Sequence, residues 1–248
     1  MTFNKFNANF TFMRKEYEIW HKTIKSIPES ELLSSVWYQA VRKRLLKRNG
    51  LTLEVACGCG AYARERAESG EKIIAVDFSI TALMEAKTRS KNFKIRYPIY
   101  VAADAHCLPF KNNTFDTIIS CETYEHLEKP RIFLYEIHRL LKHDGILCIT
   151  FPSYLNLLGL YRIYLSLRKK EFSSGAGNQP RENAPLWPFV LIEMLLKGFR
   201  LISFFGQVHL IPFPRRPIIW LKKIDAIPVL QRFLSPFALH ILFLLRKN

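Results

Sequence analysis

A strand that runs straight into two closely spaced glycines and out into a helix constrains this chain more than any other stretch. Leu51-Thr-Leu-Glu-Val-Ala reads as a buried strand, Cys57-Gly58-Cys59-Gly60 as a tight turn, and Ala61–Ser69, stopped by Gly70, as a helix. Such a unit lets a ligand lie against bare backbone at the positive end of a helix. The spacing Gly58-x-Gly60-x-x-Ala63 also fits a dinucleotide fingerprint, so the glycines leave the ligand open. Glu54 tips the balance. A carboxylate at the strand end would repel a pyrophosphate and attract an ammonium group.

Two further acidic residues follow at telling places. The apolar run Ile73–Val76 ends in Asp77, which a parallel sheet sets at the C-terminal end of the neighbouring strand, where a carboxylate can accept both hydroxyls of a ribose. A third strand, Tyr97–Ala102 broken at Pro98, leads to Asp104, which can take a hydrogen bond from an adenine amino group. Thr114–Ser120 reads as a fourth strand. A helix begins at Pro130 with Phe133, Ile137, Leu140 and Leu141 on one face, and Ile146–Phe151 reads as a fifth strand after Leu141–Gly145.

The series Glu54-x-Ala-Cys-Gly-x-Gly60, Val76-Asp77, Asp104-Ala-x-x-Leu-Pro-Phe110, Phe115-Asp116 and Leu141-Lys-x-x-Gly145 closely resembles the class I S-adenosylmethionine-dependent methyltransferases. The resemblance covers roughly residues 35–151 and is to the type 11 branch, which includes quinone-biosynthesis methylases. It implies a Rossmann-like α/β fold with a seven-stranded, mostly parallel sheet, helices on both faces and an α-helical cap. It places Gly58 and Gly60 under the methionine part of S-adenosylmethionine, Asp77 on the ribose and Asp104 at the adenine. Glu54, Ala56, Phe78, Ala105 and Cys121 complete the expected cofactor site.

Methyl transfer asks the protein to align an acceptor, exclude water and, for a hydroxyl acceptor, remove a proton. The resemblance sets the residues after the fourth strand next to the transferable methyl, which makes His126, with Glu125, the catalytic candidate. Its structural alternative is a histidine bonding locally at a helix N-terminus. Tyr124 is either packing or an acceptor contact, and His106 and His209 are weaker candidates for the base, each read first as structural. Glu122-x-x-Glu125-His126 also matches a pattern of the ubiquinone-biosynthesis O-methyltransferases, where the resemblance implies a divalent metal, Mg²⁺ or Zn²⁺, on Glu122, Glu125 and His126.

Charge and composition bear on partners. Of the net +16, residues 151–248 contribute +10, with 14 Lys and Arg against 4 Asp and Glu. That part also holds apolar clusters at Leu157–Tyr161, Leu191–Leu196, Ile218–Leu221 and Phe237–Leu245. Basic charge beside apolar surface suits an anionic membrane face or an amphiphilic acceptor, with Arg215, Arg216, Lys222 and Lys223 around Ile218–Leu221 and with Trp187 and Trp220 as the expected contacts. The alternative is that these residues fill the core and a homodimer interface. Cys57, Cys59, Cys107, Cys121 and Cys148 fit buried thiols in a reducing compartment better than a zinc site. Met1–Asn7 lacks an apolar core segment, so a cytoplasmic location is expected, peripheral to the inner face of the membrane if that surface is used. An RNA methyltransferase would account for the charge, but the Asn/Asp-Pro-Pro-Tyr signature of amino-directed nucleic-acid enzymes is missing, so nucleic acid is not the expected partner. An NAD-dependent oxidoreductase is the weaker alternative.

Along the chain, residues 1–50 read as a helical segment, with a break at Pro28, an N-cap at Ser30 and a helix over Glu31–Arg48; the resemblance implies that such a segment lies over the cofactor mouth. Residues 51–151 read as the cofactor-binding core, and 152–248 as a C-terminal cap with the last strands. Within the last part we expect helices at Ser153–Glu171, Leu186–Lys197 and Ile218–Leu234, a loop at 172–180, and strands at Phe199–Phe205 and, antiparallel, Ala238–Arg246.

Overall fold

The computed structural model describes residues 15–22, 28–45, 50–91, 98–170, 183–213, 216–221 and 225–248, with the backbone alone at 211–213 and 216–220. In chain order the strands are β1 (Leu51–Val55), β2 (Lys72–Asp77), β3 (Ile99–Ala102), β4 (Phe115–Cys121), β5 (Leu141–Pro152), β6 (Phe199–Gln207), β7 (Leu210–Phe213), β8 (Arg216–Trp220) and β9 (His240–Lys247). Seven of them form one sheet in the order β3-β2-β1-β4-β5-β9-β6, and β7 pairs with β8 in a separate hairpin. β1 to β5 pair in parallel, whereas β9 runs antiparallel to both β5 and β6.

The helices are α1 (15–22), α2 (Glu29–Leu33), α3 (Val36–Arg44), α4 (Ala61–Glu68), α5 (Ile80–Ser90), α6 (Pro130–Leu140), α7 (Leu157–Leu167), α8 (Trp187–Leu196) and α9 (Pro228–Leu234). Alternate residues of the central strands face opposite layers, as the two-residue strand period requires. Leu53, Val55, Ile118, Leu147 and Phe243 join Phe133 and Ile137 of α6 and Met194 of α8 on one side. Ile119, Ile146, Cys148 and Leu242 join Ala40 and Val41 of α3 and Tyr62 of α4 on the other. The expected seven-stranded, mostly parallel sheet with helices on both faces is therefore the architecture found.

Several motif residues hold the frame. Asp116 Oδ2 accepts the Leu51 N–H at 2.8 Å and the Lys142 ammonium at 2.8 Å, so the Phe115-Asp116 and Leu141-Lys142 pairs tie three strands together at one end. The segment Leu108–Phe110 is clamped by α6: Glu136 accepts the Leu108 N–H, and Arg139 donates to the carbonyls of Leu108 and Phe110. Pro130 starts α6, where its missing N–H costs no intrahelical bond.

Some expectations need correcting. No single helix covers the described part of Glu31–Arg48. Ser34 Oγ donates to the Glu31 carbonyl at 2.8 Å, the kind of local bond that competes with the helix ladder, and the chain restarts at Val36. α2 is capped by Pro28, not Ser30. Ile218–Leu234 is not one helix: Arg216–Trp220 is strand β8, and α9 begins at Pro228. A short β-branched apolar run bounded by prolines is ambiguous from its period, and pairing with β7 decided it. The fifth strand starts earlier than expected, with a bulge between the Phe115↔Leu141 and Thr117↔Ile146 pairs. Tyr97, residues 172–180, Arg215, Lys222 and Lys223 lie outside the described residues.

Candidate functional site

The strand order reverses between β1 and β4, and at such a switch point the carboxyl ends of parallel strands leave a crevice. A cavity of about 230 Å³ lies there. Of the expected site residues, Ala56, Gly58, Asp77, Phe78, Asp104, Ala105, Cys121, Glu122 and His126 line it, whereas Glu54, Gly60 and Glu125 do not.

The glycine turn works as two separate devices. Gly58 takes φ +53°, and a Cβ there would meet nothing nearer than His21 Nε2 at 4.0 Å, so its bare face opens on the cavity. Gly60, at φ +69°, is pressed from behind: a Cβ would lie 2.8 Å from the Tyr100 ring and 3.1 Å from Ala86. Arg64 holds the turn in shape. It is 1% exposed, donates to the Cys59 and Ala86 carbonyls, and pairs through two bonds with Glu29 of α2.

Asp77 receives the N–H of Gly58 on Oδ2 and that of Ser79 on Oδ1, both at 2.8 Å. Burial pushes its pKa up, against the opposing pull of His21 and these two N–H groups, and the net shift is upward. Asp104 takes both the N–H and Nδ1 of His106 on Oδ1, and although burial raises its pKa the bonds to His106 leave it lowered. His106 is thus a cavity residue as well as a structural one. Glu54 stands behind the wall at 1% exposure, 3.5 Å from the Tyr38 hydroxyl, and burial raises its pKa to about 8. Burial thus disfavours the charged form on which the argument against a pyrophosphate rests.

The trio after β4 does not converge. Glu122 sits in left-handed backbone at φ +49° and its Oε2 lies 3.0 Å from His240 Nδ1 on β9. Glu125 is 2% exposed, with Oε1 3.5 Å from His126 Nε2. Among the described residues, no group of three His, Cys, Asp or Glu side chains is arranged to hold a metal ion. Glu122, Glu125 and His126 therefore do not fit the metal site that the resemblance implied. Tyr124 is packing: its hydroxyl donates to Glu193 of α8 at 3.0 Å. His209 is also structural, bound to Asp225 and the Leu234 carbonyl.

The cavity wall also takes side chains from the N-terminal helices that were not named individually from the sequence. Tyr17, Trp20 and His21 of α1, Leu32 of α2, and Trp37 and Tyr38 of α3 line the cavity. Glu18 fastens α1 over it by accepting the N–H groups of Ile80 and Thr81 at the start of α5 and the Ser79 hydroxyl. Clustered aromatics before the first strand were the available signal.

Residues 53–149 match the methyltransferase domain family. Demethylmenaquinone methyltransferase of Corynebacterium urealyticum is 31% identical over 62% of this chain and 63% of its own length. The mitochondrial ubiquinone biosynthesis O-methyltransferase of Schizosaccharomyces pombe is 31% identical over 46% of this chain and 42% of its own. The chain thus spans about half the length of these relatives. An S-adenosylmethionine-dependent methyltransferase from Mesorhizobium loti, 16% identical, superposes over 87% of this chain and 100% of its own with a TM-score of 0.61, which shows a shared fold.

Proposed function

We propose, for a chain whose residues 53–149 match the methyltransferase domain family, that it is an S-adenosylmethionine-dependent methyltransferase acting on an amphiphilic small molecule. The observation that carries this reading is the cavity, which gathers Gly58, Asp77 and Asp104 at the switch point of the sheet. When bound, the cofactor supplies a methyl group activated on a sulfonium. Asp77 would accept the ribose hydroxyls with its remaining lone pairs, Asp104 would meet the adenine edge through Oδ2, and the open face of Gly58 would admit the methionine part. Cys121, Thr123 and His126 line the cavity beyond β4, where the acceptor would lie. His126 would take the acceptor's hydroxyl proton, with Glu125 beside it to orient the ring and balance its charge.

The acceptor class follows from two supports: relatives named for quinone biosynthesis, and a C-terminal part that is both cationic and apolar on its surface. A prenylated phenol, a quinone precursor or a lipid-linked glycan fits, met at the inner face of an anionic membrane. The test is transfer of a radiolabelled methyl group from S-adenosylmethionine to a bacterial lipid extract and, in parallel, to total RNA. Label recovered in the organic phase supports the reading. Label recovered only in RNA would replace it with the nucleic-acid alternative.

A further inference from the structure

Helix α7 turns its apolar side outward. Leu157, Leu160, Ile163 and Leu167 recur at helical spacing and are 52%, 64%, 59% and 80% exposed, while Leu158 and Gly159 are buried. Arg162 faces inward and lies over the Tyr154 ring at 4.8 Å. A helix on the surface of a soluble domain shows the reverse, with polar residues outside. Single exposed apolar residues are ordinary, but a stripe three turns long is not.

Charge states what covers it. The stripe ends in Arg168, Lys169 and Lys170, all exposed, and no acidic residue occurs anywhere from Gly145 to Lys170. An apolar stripe with a cationic end matches the interface of an anionic bilayer, where acyl chains take the leucines and headgroups take the bases. No described helix is long and apolar enough to cross a membrane, so the contact is with one face only.

Position gives the contact a use. α7 begins just beyond the end of β5, on the same edge of the sheet as the cavity. Ahead of α8, Asn183 is tied to the segment that borders the cavity: it donates its N–H to the Glu125 carbonyl at 2.8 Å and its side-chain amide to the Leu127 carbonyl at 3.2 Å. We infer that α7 is an interfacial helix that seats the protein on an anionic lipid surface, so that an acceptor dissolved there enters the cavity without crossing water. This moves the expected contact away from Ile218–Leu221, whose backbone forms the end of the β7–β8 hairpin, and from Trp187, whose indole N–H donates to the Pro236 carbonyl. The purpose of the surface rests on the amphiphilic-acceptor reading; its existence does not.

Flotation of the full chain with phosphatidylglycerol-containing vesicles at low salt, against pure phosphatidylcholine vesicles, tests the surface directly. Binding is expected to the anionic vesicles and to fall with salt. Each base near the surface is worth about a fivefold change, so Arg168→Gln, Lys169→Gln and Lys170→Gln together should weaken it about a hundredfold. Leu160→Ser with Leu167→Ser should release the protein while leaving its affinity for S-adenosylmethionine unchanged, which shows that the fold is intact. Wild-type protein that binds cofactor but does not float, or variants that float like the wild type, would overturn the inference. So would a dimer that the leucine variant splits without any vesicle binding, because the stripe would then join two copies. Flotation without cofactor binding would leave the surface standing and remove the methyltransferase reading instead.

Discussion

Between β1 and β5 charged side chains are turned inward and answered: Arg64 is 1% exposed with Glu29 as its partner, and Asp77 is 4% exposed with two backbone N–H groups on it. Beyond β5 it is apolar side chains that are turned outward, with Leu167 80%, Val229 81% and Phe233 79% exposed. Buried charge survives only where each partner is fixed, so the first region specifies the shape of a small ligand. Outward leucines need no such fit and ask only for an apolar neighbour, as a lipid surface provides. One part of the chain is built for recognition and the other for placement.

The contrast can be broken at either end. Arg64→Met should have the largest effect, because it strands the Cys59 and Ala86 carbonyls and leaves Glu29 unpaired; a cost of about 3 kcal/mol is expected in urea unfolding. An unchanged urea midpoint would mean that the buried pair does not hold α2 and the glycine turn. His209 tests the junction of the two regions through pH. Burial opposes its charge, but the bonds to Asp225 and the Leu234 carbonyl outweigh this and its pKa is raised above 6.5. Its stabilising contribution is therefore complete below the unfolded value and fades as pH rises through the folded one. The stability gap between the wild type and His209→Gln should narrow as the solution is made alkaline; a gap independent of pH would sink the protonated assignment. Leu160→Ser should have the smallest effect, within about 0.5 kcal/mol, because nothing in the fold depends on that side chain. A loss of several times that size would show the stripe to be covered in the folded protein, and the contrast would disappear.

How much could be read beforehand follows the same division. The strand–turn–helix unit, Asp77, Asp104 and the sheet were legible because backbone geometry demands glycine at Gly58 and because strand ends carry their acids into one crevice. The motif reading also assigned to ligand contact some residues that serve the frame. Gly60 admits Tyr100, and Glu54 lies a layer behind the cavity. The placement of Glu122 escaped because the side chain it meets, His240, comes from an antiparallel strand more than a hundred residues away. The resemblance put the N-terminal segment over the cofactor mouth but named none of its side chains, for a related reason: Glu18 reaches α5 only in three dimensions. In the C-terminal part the apolar clusters were seen, but a cluster does not reveal which side faces out. Only the packing of α7, with Gly159 inward and Leu160 outward, settles that.

Calorimetry of the purified chain with S-adenosylmethionine, its demethylated product and NAD, repeated on Asp77→Ala, tests the central claim most directly. The two sulfur nucleosides should bind and NAD should not. The variant should lose roughly 1.5–3 kcal/mol for each ribose hydrogen bond removed. Binding of NAD in their place, or equal affinity for S-adenosylmethionine in the wild type and Asp77→Ala, would contradict the assignment of this cavity.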